Sequence, residues 1–167
     1  DMSTGSLGQG VSSACGMALA GKLSDRDYRV YAILGDGEIE EGQVWEAAMF
    51  AAHRKLDNLC LLIDNNGLQI DGKISEVCSP YPIDDKFRAF GFHVIVINGH
   101  NFDEIEAAYE EAKTVKGKPT AIISLSTKGK DVTFMEDRVE WHGAAPNEEQ
   151  YQIAMNDLNA ILNSIKE

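Results

Sequence analysis

The stretch that most restricts the fold runs from Gly35 to Gly72, GDGEIEEGQVWEAAMFAAHRKLDNLCLLIDNNGLQIDG. An apolar run, Val30 to Leu34, ends in the acidic turn Gly35-Asp36-Gly37. A second run, Leu59 to Ile63, ends in Asp64-Asn65-Asn66-Gly67. Between them Val44, Ala48, Met49, Ala52 and Leu56 recur at helical spacing over Glu41 to Leu56. This is a strand–turn–helix–strand–turn unit with oxygen-bearing side chains after each strand. In open parallel sheets, ligands gather at the carboxyl ends of the strands. Asp and Asn at that edge suit one hard cation, and Mg²⁺ takes oxygen ligands in an octahedral shell that it shares with phosphate. Asn65-Asn66-Gly67 alone reads as a plain turn, since Asn-Gly is common turn chemistry. Paired with the Asp36 turn across one helix, it reads as half of a Mg²⁺–diphosphate site.

The totals narrow the classes. A chain of 167 residues with 44% hydrophobic side chains is long enough for one domain with a core. The net charge of −12 argues against general attraction to nucleic acid or an anionic membrane. An anionic ligand must then be held by a metal and local backbone dipoles. Cys15, Cys60 and Cys78 are odd in number and lack CxxC spacing, so they read as reduced packing residues of a cytoplasmic protein. No apolar run is long enough to span a bilayer, and no signal peptide is visible. A glycine-rich motif begins almost at Asp1, although termini fray. The expectation is a fragment, or a chain whose preceding segment is missing.

Taken in order, STGSLGQG (residues 3–10) carries glycines that permit tight turns and close approach of backbone to a ligand. A flexible glycine loop before a core helix fits equally well. Val11 to Lys22 is rich in small residues and predicts a closely packed helix. Arg29 to Leu34 and Leu59 to Asp64 predict strands, the second apolar enough to be covered on both faces. Residues 73–83 look irregular, and Asp84 to Phe90 forms a short helix candidate. Phe92 to Ile97 is a third strand, 102–117 a helix, and Thr120 to Leu125 a fourth strand. Lys128 to Arg138 shows no period; Pro146-Asn147 opens a last helix with an apolar stripe from Tyr151 to Ile165. Strands alternating with helices imply an α/β fold, a parallel β-sheet sandwiched by helices with right-handed crossovers.

Several single residues also admit blander roles. Glu38 and Glu40 precede the helix and read best as its caps, where the dipole favours negative charge. Glu46 reads as either a buried acid or a solvated one. His53 reads as surface, His93 as structural, and His100 as stabilising its turn. His142, in the loop after the fourth strand, can reach the same sheet edge and donate a hydrogen bond to a diphosphate oxygen or a substrate hydroxyl.

The order STGSLGQG, GDG, NN, NGHN, WHGAAP resembles the N-terminal, thiamine diphosphate-binding section of transketolase, above all the two-subunit bacterial form. The resemblance covers essentially the whole chain. It implies a diphosphate-binding domain fold in which Mg²⁺, or Ca²⁺ as a substitute, is bound by the Asp36 carboxylate, the Asn66 side-chain carbonyl and the Leu68 backbone carbonyl. It implies that Gly37 lies against the diphosphate and that His142 hydrogen-bonds it. Gly5 and Leu7 would border the cofactor's rings, and Ile70 would pack on the thiazolium. Glu41, with Glu46, would belong to a chain of carboxylates linking two active sites across a dimer.

The resemblance implies an enzyme that moves a two-carbon ketol unit from a ketose to an aldose phosphate. The glutamate that activates the cofactor then lies on a pyrimidine-binding C-terminal domain or subunit, in a homodimer or heterotetramer, and the isolated chain is expected to be inactive. Ser6 stands where many relatives have proline, and Leu125 near where they often have lysine. A non-catalytic association module is the alternative from another class. Deoxyxylulose-phosphate synthase is the nearer rival, against which GSLGQG and WHGAAP argue.

Overall fold

The computed structural model describes residues 2–166; Asp1, on which the expectation of a preceding segment rests, lies outside them. The chain opens with helix α1 (Gln9–Leu23), followed by strand β1 (Val30–Gly35) and a 3₁₀ turn, η1 (Glu38–Glu40). Helix α2 (Gly42–His53) leads into β2 (Leu59–Asn65) and a small hairpin, β3 (Leu68–Gln69) and β4 (Gly72–Lys73). Two short helices, α3 (Ile74–Val77) and α4 (Ile83–Ala89), precede β5 (His93–Asn98). Helix α5 (Phe102–Thr114), β6 (Thr120–Leu125), a 3₁₀ turn η2 (Val139–His142) and α6 (Glu148–Lys166) complete it.

The four long strands form one parallel sheet in the order β1-β2-β6-β5. The expected α/β architecture is therefore present. β2 and β6 occupy the centre, which is why both are nearly continuous apolar runs. Gly35 pairs with Asp64, and Asp64 with Ser124. The strands thus end level, and everything that follows them shares one rim.

Side-chain alternation divides the core in two. Leu34, Leu59, Leu61, Ile63, Ala121 and Ile123 meet α1, α2 and α4 on one face. α1 and α2 pack together through buried positions that are mostly small, Ala14, Cys15 and Ala18 on one and Ala47, Ala48 and Ala51 on the other, while Gly21 makes room for the Tyr28 ring. Cys60, Ile97 and Ile122 point the other way and meet Ala108 and Ala112 of α5. Asn101 caps α5, its side chain accepting from Asp103 N and Glu104 N.

Several expectations need correction. Residues 73–83 are irregular only in part: Lys73 finishes a hairpin that begins at Leu68, Ile74–Val77 form α3, and 78–82 are irregular as expected before α4 opens at Ile83. α2 stops at His53, short of Leu56, and α5 at Thr114, short of Gly117. Cys15 and Cys60 are buried, and burial raises each thiol pKa to about 11. Cys78 is exposed and packs into no core. No helix among the described residues is long and apolar enough to cross a membrane.

Candidate functional site

The first two turns meet at the rim. After β1 the chain turns at Asp36, whose side chain is fully buried at 0% exposure. Asp36 Oδ1 accepts from its neighbour Gly37 N at 2.9 Å. Asp36 Oδ2 accepts from Gly67 N at 2.6 Å, across the gap between the β1 and β2 turns. Gly67 has φ 77°, a left-handed conformation for which glycine is best suited and which the turn after Asn66 requires. The backbone adds a second tie, Asp36 N to Asp64 O at 3.2 Å. The two oxygen-rich turns are thus clasped on one rim.

Asn66 lies beside this clasp. Its Oδ1 accepts from Leu68 N at 3.0 Å, and its Nδ2 donates to Asp64 Oδ2 at 2.9 Å. The other Asp64 oxygen accepts from Ser126 Oγ, just beyond β6. Gly37 is crowded: a Cβ there would stand 3.0 Å from Gln69 Cβ, so the close passage of the hairpin favours glycine.

Burial pushes the Asp36 carboxyl pKa above the ordinary aspartate value, against the lowering effect of the two N–H donors; the Asp64 charge raises it further. Among the described residues, the salt bridges involve neither Asp36 nor Asp64. Asp36 is thus a buried carboxylate with no paired cationic side chain among the described residues, a charge that a bound cation would balance. The donor set is hard oxygen, the kind that Mg²⁺ takes. Each acceptor oxygen keeps a second lone pair after its N–H contact. The residues fit a Mg²⁺-type ion.

The remaining candidates surround this centre loosely. Gly5 and Leu7 lie on the exposed loop before α1, with Leu7 54% exposed. Ile70, at the tip of the β3–β4 hairpin, is 65% exposed. His142 is exposed on η2, and η2 packs against β3, so it shares the rim; its ring makes no hydrogen bond among the described residues. Glu41 precedes α2 without a side-chain cap bond, and Glu46 is exposed on that helix. The structure brings Asp36, Gly37, Asn66 and Leu68 together and leaves the others open to solvent.

Some site residues could not be foreseen from sequence. Glu38 and Glu40 do not cap α2. Glu38 accepts from Gly8 N at 3.0 Å and from Gly35 N at 3.2 Å, tying the glycine-rich loop to the end of β1. Glu40 accepts from Gln69 Nε2 at 3.0 Å and anchors the hairpin. Tyr81 OH donates to Asn65 Oδ1 at 2.8 Å, from within the stretch expected to be irregular. Burial and then the Asp36 charge raise its phenol pKa. Only its flanking prolines, Pro80 and Pro82, hinted at a held conformation. The NGHN turn packs on β6: Gly99 N bonds Leu125 O at 2.7 Å and His100 Nε2 accepts from Thr127 N at 2.8 Å, the turn role expected of His100.

Parallel crossover units with these clasped turns at the carboxyl edge define an α/β domain with a candidate ligand site on one rim of its sheet. The model of the family described as "Transketolase, thiamine diphosphate binding domain" matches residues 1–159, and the chain belongs to that family. It is 49% identical over 158 residues to the 6-deoxy-6-sulfo-D-fructose transketolase subunit SqwG of Clostridium sp. (strain MSTE9), covering 95% of this chain and 58% of that one. It is 39% identical over 166 residues to one subunit of the apulose-4-phosphate transketolase of Phocaeicola vulgatus, covering 99% of this chain and 59% of the relative. Transketolase from Campylobacter jejuni superposes with a TM-score of 0.87 at 37% identity, over 92% of this chain and 25% of that one. The chain thus spans a little over half the length of those two subunits and a quarter of the Campylobacter enzyme.

Proposed function

We propose that this chain is the diphosphate-anchoring part of a transketolase that transfers a two-carbon ketol unit from a ketose to an aldose phosphate. It would hold thiamine diphosphate through Mg²⁺ bound by the Asp36 carboxylate, the Asn66 side-chain carbonyl and the Leu68 backbone carbonyl. The Gly67 N–H to Asp36 Oδ2 bond carries the reading, because it joins the two turns that must share one ion. When bound, the cofactor supplies the electron sink for cleaving and forming the carbon–carbon bond.

This chain's residues do the rest by position. Gly37 lets the backbone approach the diphosphate, and His142 donates a hydrogen bond to one of its oxygens. Gly5, Leu7 and Ile70 border the rings and exclude water from them. Glu41, with Glu46, contributes to the carboxylate chain between paired sites. The exposure of Leu7 and Ile70 supports a site completed by another surface, namely a pyrimidine-binding subunit in a heterotetramer or homodimer. The names of the two-subunit relatives favour the heteromeric form and sugars with an anionic end group, a phosphate or sulfonate. The three free cysteines suit a cytoplasmic enzyme.

Calorimetric titration of the assembled enzyme with thiamine diphosphate tests the anchor. Binding is expected only with Mg²⁺ and is weakened in Asp36→Ala beyond the roughly 10–100-fold typical of outer-shell changes. Metal-independent binding of equal strength would sink the reading. The same chain without its pyrimidine-binding partner is expected to show no ketol transfer in a coupled assay, and turnover would contradict the division of labour.

A further inference from the structure

Asp64 plays no part in the ion's expected ligand set, yet its two oxygens are both committed. One accepts from Asn66 Nδ2 at 2.9 Å, the other from Ser126 Oγ beyond β6. Ser126 is itself fixed, its N–H donating to Asn65 O at 3.2 Å. The register explains the placement: Asp64 pairs with Ser124, and residues 124 and 126 share the strand face of Asp64.

The chemistry of an asparagine makes this arrangement informative. The two ends of the amide are nearly equal in size, and only hydrogen bonding decides which faces where. An ion needs the oxygen. A carboxylate accepts but does not donate, so Asp64 selects the NH₂ end of Asn66. Oδ1 is then turned to the side of the Leu68 backbone, where it accepts from Leu68 N at 3.0 Å.

We propose that Asp64, braced by Ser126, is a positioning residue that fixes the amide of Asn66 with its oxygen toward the cation. The inference rests on the reading of the site as a metal–diphosphate anchor. It assigns Asp64 an orienting role through hydrogen bonds, distinct from a ligand role or a role as local negative charge. An asparagine at position 64 keeps the acceptor for Asn66 Nδ2 and removes the charge; an alanine removes both.

The test is Mn²⁺ titration of the assembled enzyme with thiamine diphosphate, with free ion counted by electron paramagnetic resonance. Asp64→Ala is expected to weaken Mn²⁺ binding about 10–100-fold, the usual cost of losing an outer-shell partner. Asp64→Asn is expected to stay within about threefold of the natural protein, and Ser126→Ala to lie between the two. Equal weakening in Asp64→Asn and Asp64→Ala would overturn the proposal in favour of a charge or ligand role. Unchanged affinity in Asp64→Ala would overturn it outright. If Asp64→Ala fails to fold, Ser126→Ala decides: an unchanged affinity there counts against the proposal. Absence of metal-dependent binding in the natural protein would instead remove the site reading itself, with Asp36→Ala then indistinguishable from it.

Discussion

The two faces of the sheet are built to different standards. One is packed by α1, α2 and α4, with Phe87 at 0% exposure in edge or tilted contact with Trp45 and Phe92. On the other, the buried cluster draws its helical residues from α5 alone among those described. There Tyr31 meets Tyr109 edge-on, but Ile33 is 73% exposed. Parallel sheets are ordinarily covered on both faces. The difference shows which face carries more of the buried core and which is left more open. The site lies where the faces meet, at the rim, so it draws its rigidity from the fuller side while Asp64 and Ser126 sit on the thinner one.

The contrast predicts a graded series of effects. Phe87→Ala should be the most damaging, costing about 3–5 kcal/mol as an aromatic-to-alanine cavity in a filled core. Urea unfolding of the assembled protein would show it as a lower midpoint at constant slope, and a loss under about 1 kcal/mol would mean that this face is not the stabilising one.

Asp57 joins the faces. It accepts from Lys22 Nζ at 2.6 Å at the end of α1 and from Gly117 N at 2.8 Å in the turn after α5. Burial opposes its ionisation, but the Gly117 N–H and Lys22 outweigh it, and its pKa falls below the ordinary 3.8. A depressed carboxylate contributes stability above the unfolded value and loses it as pH drops through the folded one. Asp57→Ala should therefore cost about 1–2 kcal/mol at neutral pH, for a charge-assisted pair of bonds. That cost should shrink as the pH falls below 3.8. A pH-independent difference in melting curves would show that the Asp57 carboxylate does not tie the two faces together.

Ile33→Ser should change least, within about 0.5 kcal/mol, since little burial is lost at an exposed position. Applied to this polypeptide alone, it should still reduce binding of a hydrophobic dye, because it removes an apolar side chain from the open face. Undiminished dye binding would show that the exposed patch lies elsewhere, for example along α6, where Leu158 and Leu162 are also exposed.

Much of this was legible in the residues. Strand runs such as Leu59 to Asp64 declared themselves because a doubly covered strand has no polar face to confuse the pattern. The Asp36 and Asn66 turns were found because each ends such a run. What the sequence hid was long-range pairing. Glu38 looked like a helix cap, since capping is what an acid before a helix ordinarily does, and nothing local reveals that Gly8 N lies within reach. Tyr81 and Ser126 had no periodicity to mark them, and their roles depend on the register of β2 against β6. Cys78 resembled its buried namesakes because a cysteine carries no sign of its own exposure.

The amide of Gly67 already grips the acid that follows β1 before any ligand is considered. An arriving divalent ion would therefore have no loop to order. The slow event in loading should be the ion shedding its own water, which Mg²⁺ does reluctantly. Capture rates should then follow the identity of the metal more closely than the temperature-dependent motions of the chain.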